Sequence, residues 1–180
     1  MSESVRHVIL YVHGMGGGGD SRIRSILKDN LGPDFEVVIR TYDFDPEIAH
    51  TQLSGWAEEV HPDLVIGESM GAAHAIALRG YSHLFVSPSL NAPRYFFSLA
   101  WLTVIPGMTA LFDRIYRPKD GDRQRLHFTR RPLLKWKATL EDALRNTPKN
   151  GSKDYFHAFF GTRDHYRRSG VVSIRTWRKY

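Results

Sequence analysis

The pentapeptide Gly67-Glu68-Ser69-Met70-Gly71 constrains this chain more than any other feature. Leu64-Val65-Ile66 precedes it and has the length and branching of a short buried strand. Met70 to Arg79 follows as a small-residue helical pattern. A strand, a tight turn and a helix must therefore meet around one serine. A G-x-S-x-G match arises by chance in a chain of this length with a probability of roughly 5%, so the strand–helix context is what gives it meaning. The reason for the glycines is steric. The serine is expected at positive φ on a strained turn, where neighbouring backbones approach closely and Gly67 and Gly71 have no Cβ to clash. Ala72 and Ala73 let the helix lie close to the sheet, and its free N–H groups then sit beside the Ser69 hydroxyl. The alternative is a glycine-flanked turn carrying an incidental serine.

The rest of the chain supplies a frame for that turn. His7 to Val12 predicts a buried strand, and Asp20 to Leu31 a helix with Ile23, Ile26 and Leu27 on one face. Phe35 to Thr41 predicts a second strand. Pro46 to Val60 predicts a second helix, with Asp45 as N-cap and Pro46 at the first helical position. Leu84 to Ser87 is a fourth strand. This alternation predicts an α/β fold with a mostly parallel sheet flanked by helices. After Pro88 the alternation breaks. Two helical stretches, near 95–112 and 130–146, flank a charged linker, so residues 92–150 are expected to form a small helical lid or insertion. Tyr155 to Phe160 resumes as a strand, and Val171 to Trp177 reads as helical. One domain over 1–180 accommodates all of this.

Composition narrows the chemistry. There are no cysteines among the 180 residues, which excludes disulfide scaffolds, thiolate metal sites and a cysteine nucleophile. Cysteine-free composition and the absence of a signal-like leader fit a cytoplasmic protein. The histidines are scattered, there is no H-E-x-x-H, and Asp43 and Asp45 read as turn and capping residues, so no metal site is expected. Charge is uneven. Residues 1–113 hold 7 basic and 13 acidic side chains, and residues 114–180 hold 18 and 6. Without zinc-finger spacing or an RNA-binding sheet signature, this basic second half reads as a solvated face and not as a specific nucleic-acid surface. The run Tyr95 to Phe112 has no charge, but Pro106-Gly107 divides it and hydroxyl residues dilute it. A buried helix or an apolar lid over a pocket is expected there, with a lid that also touches lipid as the alternative, and no transmembrane span.

His13-Gly14-Met15-Gly16-Gly17-Gly18-Gly19 follows the first strand directly. Such a turn can aim the Met15 N–H at a developing oxyanion, with the Met70 N–H as second donor. The same stretch also fits G-x-G-x-x-G through Gly14, Gly16 and Gly19, with Asp43 near the end of the second strand. A dinucleotide-binding protein is therefore the rival reading, against which stand the bulk of His13 and the ease with which a glycine tetrapeptide satisfies any glycine pattern. Asp20-Ser21 where a Walker loop needs Lys-Ser/Thr removes that third option.

The order strand, His-Gly-x-Gly loop, G-x-S-x-G elbow and late acid resembles the α/β-hydrolase superfamily. The short length, the elbow near residue 69 and the reduced lid resemble small bacterial serine esterases of the YqiA type. The resemblance implies cleavage of a small-molecule carboxylic ester or thioester through an acyl-enzyme on Ser69, with no cofactor. It implies an acid at Asp164, in the turn Gly161-Thr162-Arg163-Asp164, and a histidine one further strand along. None of the nine histidines occupies that place, so the last strand, the catalytic histidine and a closing helix are expected beyond Tyr180. A catalytically inactive hydrolase-fold binding protein is the remaining alternative.

Overall fold

The structure is a computed structural model that describes residues 6–145, 155–161 and 173–179. Its centre is a five-stranded, all-parallel sheet in the order β2-β1-β3-β4-β5. The strands are β1 (His7–Val12), β2 (Phe35–Val38), β3 (Leu64–Glu68), β4 (Ser82–Val86) and β5 (Phe156–Phe159). The helices are α1 (Arg22–Leu31), α2 (Pro46–Val60), α3 (Gly71–Ala75), α4 (Ala92–Leu102), α5 (Met108–Ile115) and α6 (Arg130–Arg145). A helical turn over 173–177 follows β5 in the chain. The predicted α/β architecture with a parallel sheet flanked by helices is the one observed.

The alternation of side chains along each strand divides the interior. Ile9, Tyr11, Val37, Ile39 and Ile66 face α1 and form the smaller core with Ile23, Leu27 and Leu31. Ile26, expected on that same stripe, is 39% exposed. Ile23, Leu27 and Leu31 follow the i, i+4, i+8 row, and Ile26 lies off its edge. Leu10, Val12, Val65 and Phe85 point the other way, into the larger core closed by α2, α3 and α6. Trp136 of α6 is buried at its centre and donates its indole N–H to the Phe44 carbonyl at 3.2 Å. The 173–177 turn is anchored to this side, with Trp177 edge-on to Phe85 at 5.4 Å.

Local capping follows the sequence closely. Asp45 accepts the Glu47 N–H at 3.0 Å, with Pro46 first in α2. Ser21 caps α1, so that helix begins two residues after Asp20. The apolar run 95–112 is the largest departure. It is not one buried helix. It breaks at Pro106-Gly107, where Gly107 has φ +86°, into α4 and α5, and much of its apolar surface is exposed. Among the described residues, no helix is long and apolar enough to cross a membrane.

Sheet order also locates a crevice. The connection from β1 runs to β2 on one side, and β3 lies on the other side of β1. The C-terminal ends of β1 and β3 thus flank the point where the winding reverses, which is where open α/β sheets form ligand crevices. The glycine-rich loop leaves one of those ends, and the Gly67–Gly71 turn leaves the other.

Candidate active site

Ser69 has φ +49°, the strained left-handed conformation expected of it. Two bonds, one to the last residue of β4 and one from the loop after it, hold it there. The Ser69 N–H donates to the Val86 carbonyl at 3.0 Å, and the Ser69 carbonyl accepts the Ser89 N–H at 2.9 Å. The flanking glycines are required by contact. A Cβ on Gly71 would lie 2.3 Å from the Val12 carbonyl oxygen and 2.4 Å from that of His13. A Cβ on Gly67 would lie 2.7 Å from Ala72 Cα. The elbow therefore packs α3 directly against the end of β1, with the small residues Ala72 and Ala73 fully enclosed.

The glycine-rich loop closes over the same serine. A Cβ on Gly14 would sit 3.1 Å from Ser69 Cβ and 3.8 Å from Ser69 Oγ, so the loop backbone faces the hydroxyl. Met15 is partly exposed and Met70 buried. Among the described residues neither the Met15 nor the Met70 N–H donates to a protein acceptor. Met70 follows Ser69 directly in the chain, and Met15 follows Gly14, whose backbone faces the hydroxyl, so neither amide is taken up by the fold near the serine.

Three other amides of the loop, those of Gly16, Gly17 and Gly19, are occupied. The Gly16 N–H donates to Gln124 Oε1 at 3.1 Å, and the Gln124 N–H donates to the Gly17 carbonyl at 2.7 Å. Gln124 Nε2 then reaches the Asp43 carbonyl at 3.1 Å. The Gly19 N–H donates to Thr41 Oγ1 at 2.9 Å, whose hydroxyl turns to Asp122 Oδ1 at 2.6 Å. Residues 122–126 thus lie across the loop, and a Cβ on Gly18 would collide with the Asp122 carbonyl. The Asp43 carboxylate accepts the Asp45 N–H at 2.7 Å, the turn role read for it from the sequence. Sequence reasoning missed this clamp. Gln124 looks like one more polar residue of a charged linker, and nothing local marks it as buried.

Beneath the loop lies a box of rings. The His13 ring stacks on Tyr42 at 4.2 Å, and Tyr42 meets the edge of His74 at 5.1 Å. The Tyr42 hydroxyl donates to the His13 carbonyl. His13 Nδ1 lies 2.8 Å from the Gly14 carbonyl, which can only accept, so Nδ1 carries the proton. Burial holds this imidazole below its usual range. His74 is wholly enclosed between Tyr42 and Trp136, and among the described residues neither of its nitrogens has a hydrogen-bond partner. Burial, reinforced by His50 and His13, lowers it from its ordinary 6.5 to about 3. His13 and His74 therefore brace the loop as neutral rings. Of the six other described histidines, His83 stacks on Phe156, His61 ends α2, His7 lies 3.5 Å from Asp63, His127 meets Asp113 at 2.6 Å, and His50 on α2 and His157 on β5 are exposed.

Glu68 is half-buried beside Ser69 and accepts the Tyr11 hydroxyl at 2.7 Å. Burial and that carboxylate push the Tyr11 phenol far up, so it stays a donor. The expected acid Asp164 and its neighbour His165 lie outside the described residues. Among the described residues no cluster of metal-ligating side chains occurs. No family model matches this chain, and no curated protein matches it significantly.

Proposed function

We propose that the protein is a serine hydrolase that cleaves a carboxylic ester or thioester through an acyl-enzyme on Ser69. One observation carries the reading: the single serine of G-E-S-M-G is held at φ +49° at the C-terminal edge of the sheet, facing the backbone of Gly14. A non-glycine residue in that conformation costs about 1–2 kcal/mol, and such strain gathers at sites that use it.

Ser69 Oγ attacks the acyl carbon, and the Met15 and Met70 N–H groups receive the oxyanion of the tetrahedral intermediate. Collapse expels the alcohol or thiol, and water releases the acyl group. The base is a histidine from outside the described residues, oriented by Asp164, as the resemblance implies. The internal bonding of the Gly16 and Gly19 amides, and the chain lying across Gly18, favour this reading over a dinucleotide site. A pyrophosphate would need those amides.

Intact mass spectrometry before and after a fluorophosphonate probe tests it. One adduct that maps to Ser69 and disappears in Ser69→Ala is expected, together with loss of p-nitrophenyl ester hydrolysis in that variant. An adduct or turnover that survives Ser69→Ala overturns the assignment, as does a wild-type chain that takes up no probe.

A further inference from the structure

The α4–α5 hairpin has an apolar outer face that the fold leaves open. Trp101, Val104, Ile105 and Ile115 are exposed by 58%, 60%, 54% and 61%, and Leu102 and Leu111 lie beside them, also exposed. Pro93, Phe96, Ala100 and Phe112 are buried, with Phe96 and Phe112 against Phe44, Phe128 and Trp136, and Leu99 and Met108 pack partly against the same core. A contiguous apolar surface of this kind marks an interaction site. The bend at Pro106-Gly107 puts Val104 and Ile105 at the tip.

Charge says what the occupant is. Residues 92–119 contain four cations, Arg94, Arg114, Arg117 and Lys119, all exposed, and one carboxylate, Asp113. That carboxylate is engaged internally by the Phe128 N–H and His127. On the neighbouring α6, Arg130 lies over the Trp101 ring at 5.1 Å and Lys137 over the Phe97 ring at 5.0 Å. The face therefore has an aliphatic tip, aromatic flanks and a rim in which cations outnumber carboxylates, the exposed carboxylates being Asp120, 3.9 Å from Arg117, and Glu141, 3.8 Å from Lys137. An acidic protein partner would match the rim but not a protruding aliphatic tip. A lipid bilayer matches both, because tips such as Val104-Ile105 enter the acyl boundary, Trp and Tyr sit at the headgroups, and Arg and Lys meet anionic phosphates. Helices of 11 and 8 residues suit lying in that plane and cannot span it.

We propose that the α4–α5 hairpin is a membrane-surface docking element that binds anionic phospholipid bilayers. This rests on the hairpin alone and stands whatever chemistry Ser69 performs.

The test is co-sedimentation of the full chain with vesicles of phosphatidylcholine alone, and of an equal mixture of phosphatidylcholine and phosphatidylglycerol. Binding to the mixed vesicles is expected to be at least tenfold tighter and to weaken as salt is added. Trp101→Glu with Ile105→Glu is expected to remove it at unchanged thermal midpoint, since both side chains are exposed. Arg114→Gln with Arg117→Gln is expected to weaken it roughly 30-fold, at about one order of magnitude or less per cation. No binding to mixed vesicles overturns the proposal, as does binding indifferent to lipid charge or to the Trp101/Ile105 variant. Size-exclusion chromatography with light scattering runs in parallel. A dimer that the same variant dissociates would assign the face to a second copy and likewise overturn it.

Discussion

Two uncharged stretches of this chain have opposite fates. Leu64 to Ile66 with the elbow behind it is sealed, and Gly67 and Gly71 leave no room for a methyl group. Tyr95 to Phe112 is longer and as apolar, yet it buries Phe96, Ala100 and Phe112, packs Leu99 and Met108 partly against the core, and leaves most of the rest outside. The difference lies in what each can pair with. A strand segment satisfies its backbone through β1 and β4 and buries both faces. A helical hairpin satisfies its own backbone, so it needs only one face covered and can offer the other. Apolar composition reports that a surface will be covered, and secondary structure decides how much of it the domain itself covers.

The contrast can be broken most severely at Gly71. Gly71→Ala is expected to cost on the order of 4 kcal/mol or to prevent folding, because its Cβ meets two carbonyl oxygens of β1's end rather than yielding side chains. Chemical denaturation of the variant checks this, and a cost under ~1 kcal/mol would mean the elbow can draw away from β1.

His74 gives the next largest effect. Its folded-state value of about 3 lies below its ordinary 6.5, so between those limits the unfolded chain binds a proton that the folded chain refuses. Stability is thus full above pH 6.5 and falls on acidification through that window, by up to ~1.4 kcal/mol per pH unit. His74→Met, which keeps the volume apolar, is expected to flatten the dependence by one proton. Unfolding free energies across pH 6.5 to 4.5 read it out, and an unchanged slope would show that this ring is not the group refused.

Ser69→Gly sharpens the comparison from the other side. Relief of the φ +49° strain, offset by greater freedom of the unfolded chain, is expected to raise stability by about 0.5–1 kcal/mol while abolishing probe labelling. Thermal unfolding would show the rise. The smallest effect belongs to the exposed stretch. Trp101→Ala is expected to move stability by no more than roughly 0.5 kcal/mol, despite removing the largest side chain of that run. A loss of several kcal/mol in urea denaturation would show that the ring is covered.

Much of the architecture was legible in residue order. Strand β1, helix α2 with its Asp45–Pro46 start, and the strand–turn–helix around Ser69 follow from periodicity, capping chemistry and glycine placement, all of which act over a few residues. The positive φ of Ser69 was legible for the same reason, since the glycines on either side mark where backbones must crowd. The limits of the 95–112 run were not. Pro106-Gly107 announces a break, but whether the resulting faces are covered depends on α6, and α6 buries only one side of α4.

The sequence by itself determined an α/β chain with a serine at a strained turn after its third strand, because those features are set by local sterics and periodicity. Tertiary structure alone decided that Gln124, Asp122 and Thr41 hold the glycine-rich loop, that His13 and His74 lie beneath it as neutral rings, and that the α4–α5 face stays open. Each joins residues tens of positions apart or depends on what packs overhead. Long-range packing and desolvation fix such arrangements, and neither leaves a local pattern in the chain.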